Sequence, residues 1–201
     1  MDVCFIIGGN IDITAFDYTN KIVVGIDKGA YLAYLADIKL DYAIGDFDSI
    51  SAYELEELKG YTNVIKLDPI KDETDTLYAL RMFKDYDNLY ILGGISGPRI
   101  DHFVANLKLF YEFSNLIIVD NNTMIMECTS GLNFSKDEYK YCSFFALEDV
   151  FDLTLKGFKY ELEGFNLSHT SLLGVSNEII DNGIVTFSNG RLLLIKSKEN
   201  V

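Results

Sequence analysis

At 201 residues, 49% hydrophobic and 24% charged, the chain is long enough to bury a sizeable core as one compact domain or two small ones. Its 31 acidic against 17 basic side chains leave a formal charge of −14. That argues against wrapping duplex nucleic acid or lying on an anionic membrane, since both need clustered positive charge. No apolar run approaches the roughly 18 residues of a membrane span. The start Met1-Asp2-Val3-Cys4-Phe5 is acidic at once, unlike a secretory leader. Three cysteines (Cys4, Cys128, Cys142) without a CxxC pair, and only two histidines, predict reduced thiols in a cytoplasmic protein with no disulfide framework or zinc site.

In chain order, Val3–Ile7, Lys21–Ile26, Asp41–Ile44, Asn63–Leu67, Asn88–Leu92 and Asn115–Val119 are short apolar runs of the kind that form buried parallel strands. Amphipathic stretches at Ala30–Ala36, Ser51–Lys59, Thr74–Tyr86 and Arg99–Phe113 alternate with them. The alternation predicts an α/β domain over residues 1–122, doubly wound on a mostly parallel sheet. Beyond residue 123 helical periodicity fades. Thr123–Cys128, Tyr139–Leu147, Asp152–Leu155, Tyr160–Leu167, Gly183–Ser188 and Arg191–Lys196 follow as short β-rich segments. They predict a small all-β antiparallel sandwich or barrel over residues 123–201. Asn189-Gly190 between two such runs reads as the type I′ turn of a hairpin. The acidic excess lies mainly in residues 1–125, with 20 acids against 10 bases.

Ligands of open α/β sheets bind outside the carboxyl ends of the strands. Four polar clusters fall at such ends: Asp27-Lys28-Gly29-Ala30, Gly45-Asp46-Phe47-Asp48-Ser49, Asp68 to Asp75, and Gly93-Gly94 to His102. In extended backbone Asp46 and Asp48 point the same way while Phe47 faces the core, a spacing that suits Mg²⁺. A solvated acidic turn is the plain alternative for an isolated DxD. Asp72 as N-cap with Asp75 three residues on is a capping arrangement. Asp68, Asp72, Glu73 and Asp75 nevertheless crowd four acids around Lys71, which a bound cation would relieve. Gly93, Gly94 and Gly97 bracket a turn entering a helix at Pro98, and with Arg99 they form either a phosphate cradle or a simple tight turn. His102 reads as a structural histidine on an apolar helix face. Neither a Walker A loop nor a GxGxxG fingerprint is present.

Taken in order, these clusters resemble the thiamine pyrophosphokinase family, whose runs Asp-Gly-Gly-Ala, Gly-Asp-Phe-Asp-Ser, Asp-x-Thr-Asp and Gly-Gly-x-x-Gly-x-Arg-x-Asp-His are matched from Asp27 to His102. Ser176-Asn177-Glu178 matches its Ser-Asn-Glu. The chain departs at Lys28 and Pro98, where glycine is common, and it has no tryptophan to stack on thiamine. The resemblance implies Mg²⁺-dependent transfer of the β,γ-diphosphate of ATP to the thiamine hydroxyl, releasing AMP. It implies Asp46, Asp48 and Asp75 as metal ligands and, with Arg99, as the catalytic set. Asp27, Lys71, Asp72, Thr74, Gly93, Gly94, Arg99 and Asp101 would hold ATP, Asp101 anchoring nucleotide or orienting Arg99. Ser176 and Asn177 would contact thiamine. It further implies a homodimer in which the α/β half of one subunit meets the β half of the other. Two rival readings are a metal-dependent nucleotide-sugar glycosyltransferase and a non-catalytic nucleotide-binding module.

Overall fold

The computed structural model describes residues 1–9, 11–96 and 99–199. They form two compact units, Met1–Asn121 and Asn122–Val201. Among the described residues no helix is long and apolar enough to cross a membrane.

In the first unit six strands run in parallel: β1 (Asp2–Gly8), β2 (Lys21–Ile26), β3 (Tyr42–Gly45), β4 (Asn63–Lys66), β5 (Leu89–Gly93) and β6 (Leu116–Val119). Their spatial order is β4-β3-β2-β1-β5-β6. Val, Ile and Leu fill the central strands because both faces are covered. On one face Cys4, Ile6 and Val23 pack with Ala30 and Ala33 of α1 (Lys28–Leu35) and Leu58 of α2 (Ala52–Tyr61). On the other, Phe5 meets Phe83, which ends α3 (Asp75–Met82), edge to face at 5.8 Å. Helices on both faces make the unit doubly wound. The chain moves outward from β1 through β4, then returns beside β1 as β5, so the order reverses between β1 and β5. A crevice opens at the carboxyl ends of strands at such a point.

Helix ends differ from the expected ones. The run expected as Thr74–Tyr86 stops at Met82, where Phe83 has left helical geometry. The run expected as Arg99–Phe113 is α4 (Ile100–Lys108) followed by a 3₁₀ turn, Leu109–Tyr111. Gly97 and Pro98, the expected helix entry, lie outside the described residues.

The second unit is antiparallel: β7 (Thr123–Cys128), β8 (Leu132–Phe134), β9 (Tyr141–Phe158), β10 (Leu162–Leu167), β11 (Ile179–Thr186) and β12 (Asn189–Ser197). The order is β7-β12-β9-β11-β8, with β10 also on β9. β9 absorbs two expected strands. Its first stretch, Tyr141–Phe151, pairs with β12, and its second with β10 and β11. One strand thus serves two sheets, and Phe144, Leu153, Phe158, Val185 and Leu194 fill the core. The expected Asn189-Gly190 hairpin is not formed. β11 and β12 each pair with β9 rather than with one another. Asn189 keeps a negative φ, whereas a type I′ turn needs positive φ at both central residues.

Candidate functional site

The crevice in the first unit measures about 660 Å³ and is lined by residues from all four polar clusters. Its floor holds three carboxylates. Asp27 follows β2 directly and adopts φ +47, ψ −124, a region non-glycine residues rarely enter and one that clusters at functional sites. Its N–H donates to Ile44 O at 3.1 Å, and its Oδ1 accepts from Phe47 N–H at 3.3 Å. Register explains the proximity: Ile26 pairs with Ile44, which places Asp27 beside Gly45. A Cβ on Gly45 would sit 1.9 Å from Asp27 Oδ1, so only glycine admits that carboxylate. Asp46 comes next, its Oδ1 accepting from Asp48 N–H at 3.0 Å. Asp75 opens α3.

Oxygens of Asp27, Asp46 and Asp75 lie within 4.8 Å of one another. Burial, the hydrogen bond with Asp75 and the charges of Asp75 and Asp46 push the Asp27 carboxyl up to about 7. Asp75 Oδ1 is buried and accepts no aligned hydrogen bond. Lys71 Nζ stands 2.5 Å from it. Burial works against the Lys71 ammonium, but the hydrogen bond and charge of Asp75, with Asp46 and Asp27, outweigh it and raise its pKa. Three half-buried carboxylates, balanced by a single ammonium, make a donor set that fits a hard divalent cation.

Two expected details are corrected here. Asp46-Phe47-Asp48 is not extended, because Phe47 buries its ring with φ +59 and breaks the pleat. Asp48 therefore stays exposed on the crevice wall, outside the group of three neighbouring carboxylates, which Asp27 joins instead. Nor does Asp72 cap α3. Thr74 is the N-cap, its side chain accepting from Leu77 N–H at 3.2 Å, while Asp72 is exposed and not among the crevice residues. Asp68 and Glu73 are likewise occupied locally, Asp68 Oδ1 accepting from Ile70 N–H at 2.8 Å and Glu73 from Arg81 at 2.6 Å.

Gly93 and Gly94 both have positive φ, and a Cβ on Gly93 would meet Gly8 O at 2.0 Å. The close approach of β1 to β5 thus demands Gly93 whatever it binds. Gly94 lines the crevice, and its carbonyl accepts from buried Asn106 Nδ2 at 3.1 Å. Arg99 is exposed at the crevice, its guanidinium on Asp101 through Nε at 3.0 Å and Nη2 at 2.7 Å. That fork holds the Asp101 carboxyl down at about 2, and Asp101 itself does not line the crevice. Of its two expected roles, orienting Arg99 is the one the geometry displays. His102 is exposed and lines the crevice, so it is not the core histidine expected.

In the second unit a cavity of about 410 Å³ is walled by Leu155, Tyr160, Leu162, Leu173 and the segment Gly174–Asn177. Ser176 is exposed with φ +58. Asn177 is buried, and its side chain is spent on backbone: Oδ1 accepts from Tyr160 N–H and Glu178 N–H, each at 2.9 Å, and Nδ2 donates to Tyr160 O at 2.8 Å. Those bonds give Asn177 a structural task in shaping the cavity wall.

Comparison with known proteins bears on both units. The family model for the thiamin pyrophosphokinase catalytic domain matches residues 16–121, and that for its vitamin B1 binding domain matches 114–194. Thiamine pyrophosphokinase of Bacillus subtilis is 35% identical over 199 residues, covering 94% of this chain and 92% of that protein. The chain belongs to the thiamine pyrophosphokinase family. A crystal structure of the Bacillus subtilis enzyme superposes with a TM-score of 0.89 at 32% identity, both chains fully covered. That of Geobacillus thermodenitrificans thiamin pyrophosphokinase gives 0.87 at 29% identity, covering 100% of this chain and 99% of the other.

Within a thiamine pyrophosphokinase fold, sequence reasoning misses Asp27 as a member of the carboxylate cluster, because its neighbours come from register between strands. It also passes over Thr76, Phe103 and Asn106, which line the crevice. The α4 pair Phe103 and Asn106, three residues apart on one helix face, was a readable signal.

Proposed function

We propose that the chain catalyses thiamine diphosphokinase chemistry: ATP and thiamine give thiamine diphosphate and AMP. One observation carries the reading: Asp27, Asp46 and Asp75 converge beside Lys71 and Arg99 in one crevice at the strand ends of a thiamine pyrophosphokinase catalytic unit. ATP is the co-substrate. We read the cation as Mg²⁺, held by Asp27, Asp46 and Asp75, since all-oxygen donors of this kind suit a hard ion. When bound, it supplies charge neutralisation for the phosphate chain.

The chain's own residues do the rest. Arg99 offers a planar fork for phosphate oxygens once it turns from Asp101. Lys71 adds a point charge. The thiamine hydroxyl must attack the β-phosphorus in line with the departing AMP oxygen, so catalysis is positioning and charge stabilisation. Thiamine is assigned to the second unit's cavity, with Ser176 as polar contact and Tyr160 as the aromatic wall in a chain without tryptophan. We also read the protein as a cytoplasmic homodimer. Incubation with ATP, Mg²⁺ and thiamine should yield AMP and thiamine diphosphate one for one. ADP with thiamine monophosphate, or no thiamine product, would overturn the reading.

A further inference from the structure

Lys71 lies on the segment between β4 and α3, its side chain 18% exposed and that of Asp75 11%. Its ammonium is 2.5 Å from Asp75 Oδ1 and donates to the Asp68 carbonyl at 3.0 Å. Three carboxylates this close repel one another, and a half-buried site screens them poorly. The chain supplies its own cation from four residues upstream of Asp75. An ammonium and a divalent ion draw on the same carboxylate, and the oxygen that Lys71 faces accepts no aligned hydrogen bond to hold it otherwise.

Resting on the function proposed above, we propose that Lys71 is the resident counter-ion of the Asp27–Asp46–Asp75 cluster, displaced from Asp75 when the divalent cation arrives and thereby freed to turn onto the phosphate chain of ATP. Lys71 then opposes metal binding in the absence of nucleotide and favours nucleotide binding once metal is present. A residue that merely ties the β4–α3 segment in place would produce neither effect.

The test uses Lys71→Met, which keeps length and loses charge, with Mn²⁺ as a paramagnetic stand-in for Mg²⁺. Free Mn²⁺ is read by electron paramagnetic resonance without nucleotide. Lys71→Met should bind Mn²⁺ about threefold to tenfold more tightly than the parent, the range for losing one partly buried competing charge. At saturating Mn²⁺ without thiamine, its affinity for ATP should fall by about tenfold. Lys71→Arg, which keeps the charge, should bind Mn²⁺ like the parent. In metal-free buffer Lys71→Met should melt below the parent, and added Mg²⁺ should narrow the gap. Should Lys71→Met not fold, Lys71→Gln, whose amide can still donate to the Asp68 carbonyl, carries the same expectation. Equal or weaker Mn²⁺ binding in the neutral variant, or none in either protein, overturns the proposal. Crossed metal and ATP effects without thiamine diphosphate formation would sink the proposed function and leave this inference standing. Product formation with unchanged Mn²⁺ affinity in Lys71→Met would do the reverse.

Discussion

Gly45→Ala adds one methyl group at the wall of the carboxylate cluster. The new Cβ would lie 1.9 Å from Asp27 Oδ1 and 2.8 Å from its Cγ. Carbon and oxygen approach to about 3.3 Å at closest, so the overlap exceeds about 1 Å. The Asp27 backbone cannot absorb it easily, because its N–H is bonded to Ile44 O at 3.1 Å and its carbonyl to Ala30 N–H at 3.0 Å. The carboxylate must swing away from Asp46 and Asp75. Misplacing a catalytic group by about 1 Å costs on the order of 100-fold in rate. Overpacking costs about 1–3 kcal/mol, partly offset as carboxylate crowding eases. The midpoint of melting should therefore move by only about 2–6 °C. Steady-state rates at varied Mg²⁺, beside thermal unfolding of the same preparation, read both effects. Because both changes act through one carboxylate, the Gly45→Ala, Asp27→Asn double variant should be scarcely worse than the poorer single. Gly45→Ala with turnover and Mg²⁺ dependence within about twofold of the parent would refute the reasoning.

Asp46→Asn and Asp75→Asn should each lose about 100-fold or more in turnover, and Asp48→Asn clearly less, because Asp48 stands outside the cluster; a loss for Asp48→Asn equal to the others would contradict that placement. Arg99→Lys should raise the KM for ATP about tenfold, since a point ammonium cannot reproduce the fork, and an unchanged KM would remove Arg99 from the phosphate site. Asn177→Ala should cost about 2–3 kcal/mol of stability through the backbone groups it leaves unpaired, whereas Ser176→Ala should raise the KM for thiamine at unchanged melting temperature; the opposite pattern would exchange their roles. In metal-free protein Asp27 holds its proton more tightly folded than unfolded, so its stabilising contribution is present below about pH 4 and is lost as pH rises through about 7. Asp27→Asn, which cannot ionise, should melt above the parent at pH 8 and level with it only near about pH 3, and matching pH profiles would count against the crowding.

The α/β unit was legible because its strands are runs of Val, Ile and Leu buried on both faces, a pattern that composition alone carries. The antiparallel unit was legible in kind but not in pairing. β9 reads as two strands because Glu148 and Asp149 in its middle are exposed and resemble a loop. Asn189-Gly190 is a strong local hairpin signal, but β9 lies between the two runs it would join, and no local rule anticipates an intervening strand. At the site, polar residues after apolar runs located the crevice. Membership of the cluster was another matter. Asp27 enters it through the β2–β3 register, and Asp48 leaves it through the left-handed backbone of Phe47, both consequences of packing that a motif does not encode.

The most direct test of the account is to locate the cation. Crystals grown with Mn²⁺ and an ATP analogue that resists cleavage between the α- and β-phosphates can be measured for anomalous scattering at the manganese edge. The account predicts a peak coordinated by carboxylate oxygens of Asp27, Asp46 and Asp75, with the Lys71 ammonium moved off Asp75. A peak bound through Asp48 with Asp27 uncoordinated, or metal elsewhere on the chain, would contradict it.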